Sequence, residues 1–340
     1  MKRLIVVATI LCTVILIIPT MMVMFGSEKA SNTLPAQSGP KNEEPILPVY
    51  KPEEDVAIAV YRSQSEQVEN IALEKYVMGV VASEMPADFE LEALKAQALT
   101  ARTYIVQHMM NPQDIKLPDE AVVTDTVTHQ VYQSEADLKE RFGEDYEWKM
   151  KKIEEAVLLT MGEVLTYEGE PITAAFFSTS NGYTENSEDY WQNQIPYLRS
   201  VESPWDQQSP RFTAEKRLTV SEFQEKLGVT LPDDGSVGTI VSRTDGGRVA
   251  TVQINGTEFT GREIRDTLGL DSSDFQWQLQ NQHVVIQTRG WGHGVGMSQY
   301  GADGMAKEGK SYKDIVSHYY KGVNIQSVDP FISRYTAKKA

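Results

Sequence analysis

Cysteine is almost missing: the 340-residue chain has one, Cys12, inside an N-terminal apolar stretch. Everything after it therefore lacks disulfides and thiolate metal sites. A domain of this size can rest on its apolar core alone, so oxidising surroundings stay open to it. Basic residues are scarce too, 32 Lys and Arg against 48 Asp and Glu, for a formal charge of −16. That balance argues against nucleic acid, which needs a basic footprint, though it permits a basic cleft within an acidic surface. A neutral sugar polymer is an easier partner. The five histidines (His108, His129, His283, His293 and His318) show no H-E-x-x-H spacing, which argues against a metalloprotease. No internal repeat is evident.

Charge is also missing from Leu4 to Phe25. As a helix at about 1.5 Å per residue, this run spans roughly 33 Å, enough for a bilayer core. Lys2 and Arg3 precede it, so the N-terminus is expected in the cytoplasm and the rest outside. A cleaved signal peptide is the rival reading. Its apolar region is normally shorter, and Gly26-Ser27-Glu28-Lys29 offers no small-residue cleavage site. The expected order is a tip and transmembrane anchor over 1–26, a Pro-rich linker over 27–54, a catalytic domain over 55–329 and a basic tail over 330–340.

Within the folded part, Val56–Tyr61 reads as a strand and Leu73–Ser83 as a helix that Pro86 must end. A second helix is expected from about Phe89 to Met110 with Asp88 as N-cap, and a third from about Asp145 to Thr160. Val164–Tyr167 and Ile172–Phe177 should form a hairpin around Glu168-Gly169. Thr219 and Glu222 make a capping-box pattern for a helix ending at Gly228. Val237–Arg243 and Arg248–Ile254 flank Asp245-Gly246-Gly247, and Asn255-Gly256 is a hairpin signal. Phe275–Leu279 and His283–Thr288 read as another pair, and helices near Gln299–Lys307 and Lys313–Tyr319 close the chain. The class is α+β: mixed helices and antiparallel hairpins forming one cleft-bearing extracytoplasmic domain behind the N-terminal helix.

Three segments carry candidate chemistry. Glu84 lies among Val80, Val81, Ala82 and Met85 where a helix stops. Desolvation there would raise its pKa, as a general acid requires, although a solvated glutamate at a helix end is the ordinary reading. Arg102, on the next helix, could be a structural ion pair or could orient a substrate. Ser178-Thr179-Ser180-Asn181-Gly182, with Trp191, Tyr197 and Trp205 downstream, combines the hydroxyls and aromatics that suit a polysaccharide, or is a polar loop beside core aromatics. Gly290-Trp291-Gly292-His293-Gly294-Val295-Gly296 has alternating glycines that let backbone bend or approach something closely. It matches neither a phosphate loop nor a dinucleotide fingerprint.

Taken together, Leu73–Pro86 with Ala93–Tyr104, Ser178–Gly182 and Gly290–Ala302 resemble the stage II sporulation protein D family. The resemblance covers roughly residues 55 to 325. It implies a lytic transglycosylase acting on peptidoglycan glycan strands stripped of stem peptides, in engulfment during endospore formation. The implied partners are stage II sporulation proteins P (an amidase) and M (a membrane protein), and the implied location is the sporulation membrane. By motif position Glu84 would be catalytic. Arg102, Ser178, Ser180, Asn181, Gly182, His293, Gly294 and Gln299 would bind substrate, with His293 shaping the cleft floor. Some relatives carry a Cys/His zinc cluster near Val122–Tyr132. Here His129 stands without cysteine, so no metal and no cofactor are expected.

Other readings stay open. A wall-binding scaffold or amidase enhancer would bind glycan without cutting it. A hydrolase would need a second carboxylate, for which Asp88, Glu90 and Glu185 are candidates.

Overall fold

The computed structural model describes residues 47–111, 117, 118, 121–191 and 193–339. The expected anchor and most of the expected linker lie outside the described residues. Among the described residues no helix is long and apolar enough to cross a membrane.

The main core forms around the Leu91–Met110 helix, of whose 20 residues 15 are buried. Ala93, Ala96, Ala98 and Ala101 lie on different sides of it, so neighbours can approach all round. The helices Leu73–Glu84, Tyr146–Leu158, Gln299–Lys307 and Tyr312–Tyr319 pack against it, as does the strand Glu163–Tyr167. Leu73–Glu84 ends where expected: Met85 is extended (φ −123°, ψ 136°) ahead of Pro86, which forbids another helical turn.

The hairpin Ala57–Arg62/Gln67–Ala72 is extended by a parallel pairing to Val123–Thr124. A second sheet places Glu163–Tyr167 between Glu170–Pro171 and Asn324–Ser327. Phe176–Phe177 departs from the expected hairpin. It pairs in parallel with Met297–Ser298, which brings two distant motif segments side by side.

A separate core fills the lobe of residues Thr213 to Arg289, from Phe223, Val252, Ile254, Ile264, Leu268, Phe275, Val284 and Ile286. Two three-stranded antiparallel sheets build it: Phe275–Gln280, His283–Arg289 and Thr213–Thr219 in one, Thr257–Thr260, Val249–Ile254 and Thr239–Arg243 in the other. The Thr219/Glu222 capping box is present, with Gly228 left-handed just beyond the helix. Asn255-Gly256 turns with both residues at positive φ, 45° and 85°.

Several expectations are corrected. The long helix begins at Leu91 rather than near Phe89. Asp88 is not its cap; Glu90 holds that position, and its N–H donates to Asp303 at 2.8 Å. The Glu135–Phe142 helix, with a Ser134/Asp137 capping box, is additional to the expected elements; it buries only Leu138, so no apolar period marks it in the sequence. The expected tail is instead part of the helix Asp329–Lys339, and Phe331 and Tyr335 join the main core.

Candidate active site

Glu84, last residue of its helix, is half-buried at the floor of a groove. Gly79, one turn earlier, lies so close to Tyr132 and the Gln133 carbonyl that any side chain would collide. That approach lets the 130–133 segment lie along the helix, and the Val131 N–H donates to Glu84 Oε1 at 3.0 Å. Tyr132 stacks on Tyr76 with ring centroids 5.4 Å apart, which fixes the segment. Oε2 has no hydrogen-bond partner among the described residues. Burial pushes the carboxyl above the usual glutamate range, while the Val131 N–H and the Arg141 charge pull against it.

Two cavities meet at this carboxyl. One, of about 760 Å³, runs past Asp88, Ser178, Trp291, Gln299 and Tyr300. The other, of about 670 Å³, runs past Tyr104, His129, Thr173 and Trp191. Both are lined by Glu84, Val127, Phe176 and His293. An acid at the junction of two such spaces can reach a bond in the middle of a chain-like ligand.

The other expected residues divide sharply. His293 lies in the groove, its ring 5.5–5.7 Å from those of Phe177, Tyr190 and Trp191. Its Nδ1 accepts from the Val295 N–H at 3.0 Å. Burial and the Arg248 charge push its pKa down to about 3, so the imidazole is neutral at working pH. Ser178 also lines the groove. Gln299 lines it as well, but its amide holds the backbone: Nε2 donates to the Glu84 carbonyl at 3.1 Å and to Gln97 Oε1 at 3.4 Å.

Arg102 is corrected from substrate ligand to core clamp. It is fully buried and donates to both Glu74 oxygens at 2.8 and 2.6 Å, and to the Val157 and Glu163 carbonyls. Ser180 is likewise buried, donating from Oγ and N to Asp206 at 2.8 Å. Asn181 ties the two lobes together through the Gly246 carbonyl and Asp274. The Gly182 carbonyl accepts from the Ser203 N–H. Gly294 sits on the inner side of the glycine-rich loop, where a side chain would strike the Arg248 guanidinium. All five residues are thus engaged within the protein.

Sequence reasoning missed the Val131 amide, Arg141, Lys149 and Arg211 at the groove, and the Asp206 hub below it. Asp206 accepts from Ser180, Ser203 and Ser298 and so holds the two motif segments in place. None of these carries a local signal. Of the downstream aromatics, Trp191 reaches the groove, while Trp205 packs against His318. Of the possible second carboxylates only Asp88 lines the same cavity as Glu84.

The sequence falls in a known sporulation class: the family model described as Stage II sporulation protein matches residues 61–167. Stage II sporulation protein D of Bacillus subtilis is 50% identical, with all of both chains covered, and that of Bacillus amyloliquefaciens is also 50% identical over the whole of both. The chain belongs to the stage II sporulation protein D family. A protein of Bacillus subtilis named amidase enhancer is 30% identical over 73% of this chain and 40% of its own length.

Proposed function

We propose that the chain is a lytic transglycosylase that cuts peptide-free peptidoglycan strands between N-acetylmuramic acid and N-acetylglucosamine. The observation that carries this reading is Glu84 at the meeting of the two cavities, with Oε1 held by Val131 and Oε2 unclaimed. An inverting or retaining hydrolase needs two carboxylates flanking the bond. Transglycosylation needs one, because the sugar supplies the nucleophile. Protonated Glu84 gives its proton to the glycosidic oxygen as that bond breaks. The carboxylate then takes the proton of the muramic acid C6 hydroxyl, whose oxygen closes on C1 as a 1,6-anhydro ring. A raised pKa suits a group that acts first as acid and then as base. Anchoring through Leu4–Phe25, action in engulfment, and work beside stage II sporulation proteins P and M complete the proposal.

The test is mass spectrometry of peptide-free strands incubated with wild type and with Glu84→Gln. Anhydro-muramic ends made by wild type and absent with the variant are expected. Reducing ends instead would overturn the mechanism and turn attention to Asp88. A second reading, assistance to an amidase without cutting, is favoured by the relative that bears that name. Strand binding with no cleavage product would select it.

A further inference from the structure

The two arms of the groove differ in charge. Beyond the shared Glu84, the larger arm is lined by Arg141, Lys149 and Arg211 against a single carboxylate, Asp88. The smaller arm has no Lys, Arg, Asp or other Glu in its lining. Three cations in one arm stand out on a chain of formal charge −16. Two of the three form no ion pair with the protein's own carboxylates among the described residues. Arg141 is exposed and donates to the neutral Gln133 amide oxygen and the Ala82 carbonyl. Arg211 is exposed and stacks on Trp291, 4.4 Å from its ring centroid, with no ion pair among the described residues. Lys149 pairs with Asp145 at 3.1 Å, but that carboxylate is 57% exposed and holds it weakly. Arg141 and Lys149 both lie over the Phe142 ring, which keeps their charged ends on the groove wall.

We propose that this arm recognises the lactyl carboxylates of muramic acid, so the strand is read by charge on one side of Glu84 and by shape on the other. The inference rests on the glycan reading above. In an intact strand the lactyl carboxyl is locked in a neutral amide to the stem peptide. Only after an amide hydrolysis does each muramic acid expose an anion beside its ring. The cations make such a strand the better ligand. Trp291, 37% exposed beside Arg211, offers a sugar ring an apolar face next to the charge. Opposite charge in a walled groove also raises the local strand concentration, an effect that salt weakens.

The test uses full-length Glu84→Gln protein in detergent, so that binding is measured without cleavage. Calorimetry compares peptide-free strands with the same strands after their lactyl carboxylates are converted to carboxamides. The carboxylate strands are expected to bind about tenfold tighter at low salt. Adding Lys149→Gln and Arg211→Gln should bring the ratio towards one, and Lys149→Arg with Arg211→Lys should restore it. Equal affinity for the two strands, or a ratio indifferent to these substitutions, would overturn the proposal. Absence of anhydro product from wild type would sink the transglycosylase reading alone, because the binding ratio does not depend on cleavage.

Discussion

Among the described residues two glutamates are pushed up by burial, and only one of them lines the groove. Glu84 opens onto the groove with one oxygen unclaimed. Glu185 is 2% exposed, sealed beneath the glycine-rich loop, and burial raises it to about 7. Its partner Arg248 is also buried, 3.6 Å away from Nε to Oε1, too long for a hydrogen bond. Arg248 is instead occupied with Ser272 and the Gly292 carbonyl. A raised pKa is therefore no mark of catalysis by itself. What separates the two is access: a path for substrate to the proton.

The sharpest break of that comparison is in activity. Glu84→Gln should lower strand cleavage by about 10²–10⁴-fold, the usual reach of general acid catalysis, with melting temperature barely changed. Glu185→Gln should do the reverse, altering stability and its pH dependence while cleavage persists. Parallel rate and melting measurements check both. If cleavage falls equally in the two variants, access is not what distinguishes them.

A third buried glutamate sharpens the contrast. Glu74 faces Arg102 in a two-pronged pair, and the guanidinium is further held by carbonyl oxygens. Arg102→Met leaves that carboxylate buried and unmatched, at an expected cost of about 3–5 kcal/mol. Denaturant titration reads this directly. Combining it with Glu74→Gln should recover part of the loss, and no recovery would mean that packing rather than charge is the cause.

The Glu185 effect should be smaller and is set by pH. Its folded pKa, about 7, lies above the ordinary glutamate value of 4.5. Its contribution is therefore fully present below pH 4.5 and is lost as pH rises through about 7. Glutamine imitates the protonated form at every pH. The melting temperature of Glu185→Gln relative to wild type should thus climb by a few degrees between pH 5 and pH 8. A flat difference would show that the carboxyl titrates normally despite its burial.

Legibility followed the range of the interactions. Pro86, the Thr219/Glu222 box and Asn255-Gly256 act within a few residues, so their consequences could be read directly. Glu84 was legible through its motif, since its neighbours alone made it an ordinary helix-end residue. Arg102 and Ser180 share the same motif stretches and yet turn inward, because motif position does not say which way a side chain points. What decides that is Glu74 for one and Asp206 for the other, 28 and 26 residues away. Arg141 and Lys149 were harder still: on their helices they look like any solvated charge, and the groove exists only once the end of the Glu84 helix, Phe176–Ser178 and the loop of Gly290 to Gly296 come together.

The subtlest expected effect belongs to Arg141, whose charge acts on Glu84 through space. That charge favours the carboxylate over the acid and so holds the Glu84 pKa down. Arg141→Gln removes the opposition and leaves burial to act with only the Val131 N–H against it. The acid form then survives to higher pH, and the alkaline limb of the kcat profile should move upward. Measuring kcat with saturating strands keeps this apart from weaker binding, which would appear in KM. Arg217, 64% exposed on the far lobe and paired with Glu215, supplies the control, and Arg217→Gln should leave the profile unmoved. If Arg141→Gln lowers the profile uniformly without moving it, Arg141 holds substrate and does not tune the acid. If the alkaline limb moves and KM also rises, one side chain does both: it sets the proton that Glu84 carries and gathers the strand that receives it.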